Sequence, residues 1–311
     1  MFGFLVRRIL GGLITLFVIA SLCFFIVRFA PGNPFSQERK LPPEVMLNLK
    51  RKYHYDKPIL TQYAMRMKGY LTGDFGLSIK YQDRQVDEIL FPSMGTSVQL
   101  GAITFVIAIL VGLGAGVLAS ARQNRWPDYA SMSLALAGIC VPNFLLGPIL
   151  VMVFAFHLKW LPVAGWPESG AISELGKVVL PAITLALVHI AYVSRLARAG
   201  MLDVLNKDYI RTARAKGLGE NAVYLKHALK NGVTPVLSYA GPMAALILTG
   251  SVVVEKIFNI PGMGQHFVDA ALARDLPLVM GSILIYSTLL ILFNIVVDIG
   301  YSILDPRVRL N

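Results

Sequence analysis

The chain has 311 residues, of which 55% are hydrophobic and 15% charged, with a net charge of +11 and a mean hydropathy of +0.61. A soluble domain carries about a quarter charged residues, so this composition excludes an ordinary water-soluble enzyme and points to a chain whose solvent is partly lipid. Its basic residues gather just outside apolar runs, as in membrane loops, which sets nucleic acid aside as a partner.

A membrane span requires about 20 apolar residues. Six stretches qualify: residues 9–29, 98–121, 129–156, 178–196, 233–257 and 278–301. Arg7 and Arg8 precede the first. Its apolar run exceeds the roughly 7–15 residues of a cleaved signal, and Arg28 stands where cleavage needs a small residue, so it reads as a retained helix. Residues 30–95 are too long and too varied for a linker and read as a folded cap outside the membrane. Within them a short helix is expected from Pro42 and Pro43 through Leu49 to Lys52, because proline suits a first turn. The later Leu71-Thr-Gly-Asp-Phe-Gly76 reads as a helix stop followed by a turn.

Gly112, Gly114 and Gly116 in the second stretch suit close helix packing. The third contains Pro142 and Pro148, which predict a kink or break near Val141–Pro142; carbonyls freed there must face protein or a wet cavity. Cys23 and Cys140 lie in apolar runs and read as small buried hydrophobes. Gly241–Pro242 reads as a flexing point or a static kink in the fifth stretch.

Ionisable residues inside the stretches are few. His189 reads as a hydrogen-bonding residue between helices or as part of a cavity wall. Glu255 reads as a water-facing helix end or part of an outer gate, and Asp298 as a partner for a cytoplasmic base. There is no G-x-x-x-x-G-K-[ST], no H-E-x-x-H and no G-x-S-x-G, so P-loop nucleotide binding, metalloprotease and esterase chemistry have no support. The five histidines show no ligand spacing, so neither a metal site nor a catalytic residue is expected.

Short loops on one side carry Arg7, Arg8, Arg122, Arg125, Arg195, Arg198, Lys207, Arg211, Arg214, Lys216, Lys226, Lys230, Arg307 and Arg309. Those on the other carry Lys159, Lys177, Lys256 and Arg274. The positive-inside bias puts both termini in the cytoplasm, with Trp160 and Trp166 at the outer interface.

Between the fourth and fifth stretches, Asp208 suits an N-cap, Tyr209 to Lys216 a short helix, and Gly217 the residue just past its end. A second helix is expected over 221–229. A helix of about two turns is not stable alone, so it must dock. Ala213 and Ala215 would let a partner approach closely, and Arg211 and Arg214 can pair with acids. The alternative is a solvated basic loop that serves topology alone.

The segment Asp208-Tyr-Ile-Arg-Thr-Ala-Arg-Ala-Lys-Gly217-Leu218 resembles the cytoplasmic coupling motif of ABC importer permeases in its peptide-transport form. Arg211-Thr212-Ala213 stands where the general motif has Glu-Ala-Ala, and Gly217 stands at its glycine. Leu229-Lys230 replaces the later Leu-Pro, with Pro235 further on. Ala30-Pro-Gly-Asn-Pro34, Gly73-Asp-Phe-Gly-Leu-Ser78, Trp160-Leu-Pro, Gly250-Ser-Val-Val-Val-Glu-Lys-Ile-Phe-Asn-Ile-Pro-Gly-Met-Gly264 and Asp305-Pro-Arg-Val-Arg309 follow in the order and spacing of the B-type permease of oligopeptide and dipeptide importers. Leu41-Pro-Pro-Glu-Val-Met46 with Lys52-Tyr53-His54 is similar to the oligopeptide subgroup.

The resemblance covers nearly the whole chain. It implies an all-α membrane protein with six transmembrane helices in the type I ABC importer fold and a periplasmic cap between helices 1 and 2. The implied layout is an N-terminal helix over 1–29, a cap over 30–95, a transmembrane domain over 96–304 with coupling helices at about 206–230, and a cytoplasmic tail over 305–311. It further implies a bacterial inner membrane, a second homologous permease, two cytoplasmic ATP-binding subunits and a periplasmic or lipid-anchored peptide-binding protein. No cofactor is expected on this chain, with ATP and Mg in the partner subunits. Coupling falls to Asp208, Tyr209, Arg211, Thr212, Ala213, Arg214, Ala215 and Gly217. Asn143, His189, Ser238, Tyr239 and Ser251 are polar candidates for the wall of the substrate pathway. Related permeases carry nickel or another small cargo, which stays open, as does a stand-alone secondary carrier. An ion-coupled carrier usually shows buried carboxylates along its path, and an intramembrane enzyme would need a nucleophile–base or metal pair that these spans do not offer.

Overall fold

The computed structural model describes residues 2–30, 42–167 and 174–304. Most of the 30–34 motif, Leu41, the 305–309 motif and the side chain of Asp298 therefore lie outside the described residues. In chain order the helices are α1 (Phe2–Phe29), α2 (Pro43–Lys52), α3 (Ile59–Thr72), α4 (Val86–Ala121), α5 (Trp126–Cys140) and α6 (Asn143–Leu150) with a π-helical extension, Val151–His157. There follow α7 (Gly176–Leu205), α8 (Asp208–Ala215), α9 (Glu220–Ala222), a π-helical turn Val223–Ala228, α10 (Leu229–Gly232), α11 (Thr234–Ile257), α12 (Met263–Ala273) and α13 (Leu276–Leu304). Among the described residues the only β contact is an isolated bridge between Leu77 and Gln85.

Helices α1, α4, α7, α11 and α13 are each long and apolar enough to cross a membrane, and α5 with α6 makes a sixth candidate bent by 111°. Pro142 explains the bend. It has no N–H for Gly138, and it forces the preceding residue out of the helical region; Val141 is extended at φ −93, ψ 116. Both halves pack against α7. Asp128 pairs with Arg198, Gly138 packs on Leu187, Gly147 touches Thr184, and Val151 and Phe154 join Val178 and Leu180 in one cluster.

The described residues form two compact units. One is built from Met1–Ser97 and Pro261–Ile295. In it Ala20 and Phe24 of α1 pack with Leu276, Met280 and Leu284, while Val86 and Leu90 pack with Met263 and Leu278. Helix α2 begins at Pro43 and ends at Lys52, as its prolines predict, and Gly73 closes α3 in the left-handed region at φ +79. Asp275 ties this unit together. Its buried carboxylate accepts the Leu278 N–H near the start of α13, and also the Ser78 hydroxyl and the N–H groups of Ile79 and Lys80. Tyr53 Oη donates to Ser78 O at 2.8 Å, so Lys52-Tyr53-His54 and Gly73–Ser78 meet at one latch.

The other unit is chiefly Val98–Ile260. Small residues let helices approach closely. Gly112 faces Val193 and Gly116 faces Ala197, whereas Gly114 meets nothing within 4 Å. Three expectations change here. Cys140 is exposed rather than buried, because the break turns it out of the α5–α7 contact. Glu255 is fully buried rather than water-facing, because α11 runs on to Ile257 and its end is folded under by Phe258 and Ile260. Helix α4 starts at Val86, well before the apolar stretch at 98.

Candidate functional site

Helix α8 is short, and its sequence is strongly two-faced. Ile210 and Ala213, three residues apart, lie on one face and are buried, at 0% and 6% exposure. They pack under the end of α7 with Met201, Val204, Val223 and Ala228. Ala213 thus uses its small size against the chain's own core, not against an external partner as its sequence suggests. The opposite face carries Tyr209, Arg211, Thr212, Arg214 and Ala215, all exposed.

Asp208 is the first helical residue rather than the N-cap; Lys207 holds that position with an extended backbone and no side-chain cap bond. A carboxylate in the first turn still suits the positive end of the helix, and Asp208 pairs with Arg211 at 3.4 Å. At the far end Gly217 has φ +79, its N–H donates to Arg214 O, and the Leu218 N–H donates to Ala213 O. These paired bonds satisfy the last helical carbonyls.

The following segment braces α8. Arg214 forks onto Glu220 at 2.9 and 3.2 Å, and the carboxylate holds the guanidinium pKa above its ordinary value. Asn231 Nδ2 donates to Tyr209 Oη at 3.0 Å. Beneath, α7 and α10 meet backbone to backbone: a Cβ on Gly200 would lie 2.2 Å from Gly232 O. Two residues earlier in α7, Arg198 grips the buried Asp128 of α5 through two bonds of 2.6 and 2.7 Å, and the Asn124 N–H adds a third contact at 3.0 Å. Helix α8 therefore stands on a rigid pedestal that reaches the base of the broken span.

The polar candidates within the spans separate. His189 Nδ1 and Tyr239 Oη share a hydrogen bond of 3.1 Å, and the Tyr192 ring lies 5.6 Å from that of Tyr239. Asn143 opens α6 at the break. Ser238 is exposed and donates to Thr234 O in its own helix. Ser251 is fully buried and donates to Leu248 O. So His189 and Tyr239 come together, while the two serines are absorbed by α11. Asp128, Tyr192, Arg198, Glu220 and Asn231 are absent from the sequence-based set. Only Asp128 carried a visible signal, an acid in the first turn of a span beside a basic loop. Among the described residues no group of three or more His, Cys, Asp or Glu side chains is placed to hold a metal.

Residues 108–310 match the family described as "Binding-protein-dependent transport system inner membrane component", and residues 1–110 match "Binding-prot-dependent transport system membrane comp, N-term". The chain is 46% identical over 309 residues to the oligopeptide transport system permease protein OppB of Escherichia coli (strain K12), covering 99% of this chain and 100% of that protein. It is 42% identical over 308 residues to the dipeptide transport system permease protein DppB of Bacillus subtilis (strain 168), covering 99% and 98%. Among solved structures, the inward-facing MetNI methionine ABC transporter superposes with a TM-score of 0.56 at 13% identity, over 70% of this chain and 97% of that one. An amino acid ABC transporter with histidines gives 0.52 at 14% identity, over 68% and 92%. At such identities the likeness concerns the fold.

Proposed function

This chain belongs to the binding-protein-dependent transport system inner membrane components, as a B-type permease of the oligopeptide and dipeptide ABC importers, and we propose that it forms the peptide pathway together with a second homologous permease. Its cargo is oligopeptides delivered by a periplasmic or lipid-anchored binding protein. Two cytoplasmic ATP-binding subunits hold the ATP and Mg, and this chain receives their motion through the exposed face of α8. Both termini lie in the cytoplasm, as the loop charges favour.

The observation that carries the reading is the division of labour in α8. Its apolar face is fully used on the chain's own core, while its polar face stays open on a braced support. Moving a two-state transporter from mostly inward to mostly outward takes about 5.5 kcal/mol of differential binding. ATP acts on another subunit, so this free energy must cross a protein contact, and a rigid docking helix supplies one. Tyr209, Arg211, Thr212 and Ala215 make the contact; Gly217 fixes where the helix ends.

A cysteine replacing Arg211 tests this by cross-linking in the assembled complex. It should cross-link to an ATP-binding subunit, with a yield that changes on ATP binding, whereas a cysteine replacing Leu71 should not. Equal yields at the two positions, or none at Arg211, would overturn the assignment.

A further inference from the structure

At the break in the third span, backbone acceptors accumulate. The carbonyls of Gly138, Ile139, Cys140 and Val141 receive no backbone N–H among the described residues, since Pro142 has none to give and Leu145 and Leu146 both donate to Pro142 O. Asn143 Oδ1, beside them, is buried and accepts no hydrogen bond from the described residues. The break also lies at mid-span. A Cβ on Gly138 would sit 3.1 Å from Leu187 O, one on Gly147 would sit 3.6 Å from Thr184 Cγ2, and both partners lie within the body of α7. Its other side is open: Cys140, Pro142 and Phe144 are exposed on the chain.

Lipid cannot cover such a surface. An unsatisfied backbone group in hydrocarbon costs several kcal/mol, so irregular backbone at membrane depth faces protein or water. The carbonyl end of a helix also carries partial negative charge, which favours cations and N–H donors. A peptide brings both, as an ammonium at one end and amide N–H groups along its length. Resting on the permease reading above, we infer that the break is a hydrated, acceptor-rich station on the pathway that receives the ammonium or amide N–H groups of the passing peptide. Its acceptors are the Gly138–Val141 carbonyls, and the buried Asn143 Oδ1 beside them adds to their negative potential. Backbone acceptors of this kind take any sequence, as an importer of varied peptides requires.

Cys140 is a native probe at this spot. The test uses the assembled complex in vesicles, with Cys23→Ala and cysteine-free partner subunits. Cys140 is modified with two small membrane-impermeant methanethiosulfonates, one cationic and one anionic, with rates normalised to a free thiol in solution. Both should react in at least one nucleotide state. The cationic reagent should be faster by about fivefold, the ratio that roughly 1 kcal/mol of helix-end electrostatics produces. Cargo peptide should slow both, and Asn143→Leu should shrink the preference. No modification in any nucleotide state would mean that protein or lipid covers the break and would overturn the inference. Equal rates, or a faster anionic reagent, would leave a wet path but remove the acceptor station. ATP-dependent peptide uptake by the same vesicles reports on the permease reading separately: uptake with an unreactive Cys140 sinks only the inference, and no uptake sinks the reading beneath it.

Discussion

Gly217 has a left-handed backbone and open space where a Cβ would go. A substitution there therefore strains φ without creating a clash. An ordinary L-residue pays about 1–2 kcal/mol for this conformation, and asparagine less. Gly217→Val should lower transport severalfold and weaken ATPase stimulation while the chain still inserts, and Gly217→Asn should retain most activity; transport assays on both variants check this. The position is legible in sequence because few residues accept φ > 0 at a helix end. The direction of Ala213 is not, since facing inward or outward depends on where α7 ends. His266 gives a residue-scale pH dependence. It lies half-buried beside Tyr81, and burial pushes its imidazole below the ordinary value, with Lys80 and Arg84 adding to burial and Asp269 opposing it. Its folded pKa lies below its unfolded one, so its contribution is present above about pH 6.5 and is lost as pH falls. Melting temperature should fall on acidification below that point, and His266→Gln should flatten the slope. An unchanged slope would remove His266 as the cause.

At the scale of elements, the spans are legible because roughly 20 apolar residues have few other uses, and the break is legible because a proline lacks its N–H. Helix α2 follows from its prolines. Helix α3 is less visible: its sequence is half polar, and its burial comes from Tyr63, Met67 and Tyr70 packing beside Phe24 and Leu276. Nor does any local pattern reveal the pedestal of α8, whose parts come from α5, α7 and α10. Two substitutions probe it. Gly200→Ala drives a methyl into Gly232 O and must separate α7 from α10; overpacking of this kind costs about 1–3 kcal/mol. Asp128→Asn removes the charge from a forked pair with Arg198, at about 1–3 kcal/mol. Both should lower the melting temperature of the purified complex and loosen ATP hydrolysis from transport. Wild-type melting and coupling in both would show that the pedestal is dispensable.

At the scale of the whole molecule, topology and partnership decide the function. Leu71 is 89% exposed near the end of α3, and Glu220 is exposed after α8. Cysteines at these positions should label from opposite faces of the membrane, with Leu71 outside. Gln62 is a poor reporter of the same face because it is buried and bonded to Arg28. Charge bias makes the topology readable from sequence. The partners are readable only through resemblance, because an exposed polar helix face does not itself name what covers it. The most direct measurement is uptake of a labelled oligopeptide into vesicles carrying the assembled complex, with ATP hydrolysis counted in the same vesicles. Uptake should require both ATP and the binding protein, and Gly217→Val should lower uptake severalfold together with its ATPase stimulation. Uptake driven by an ion gradient without ATP, or by this chain alone, would contradict a coupled permease.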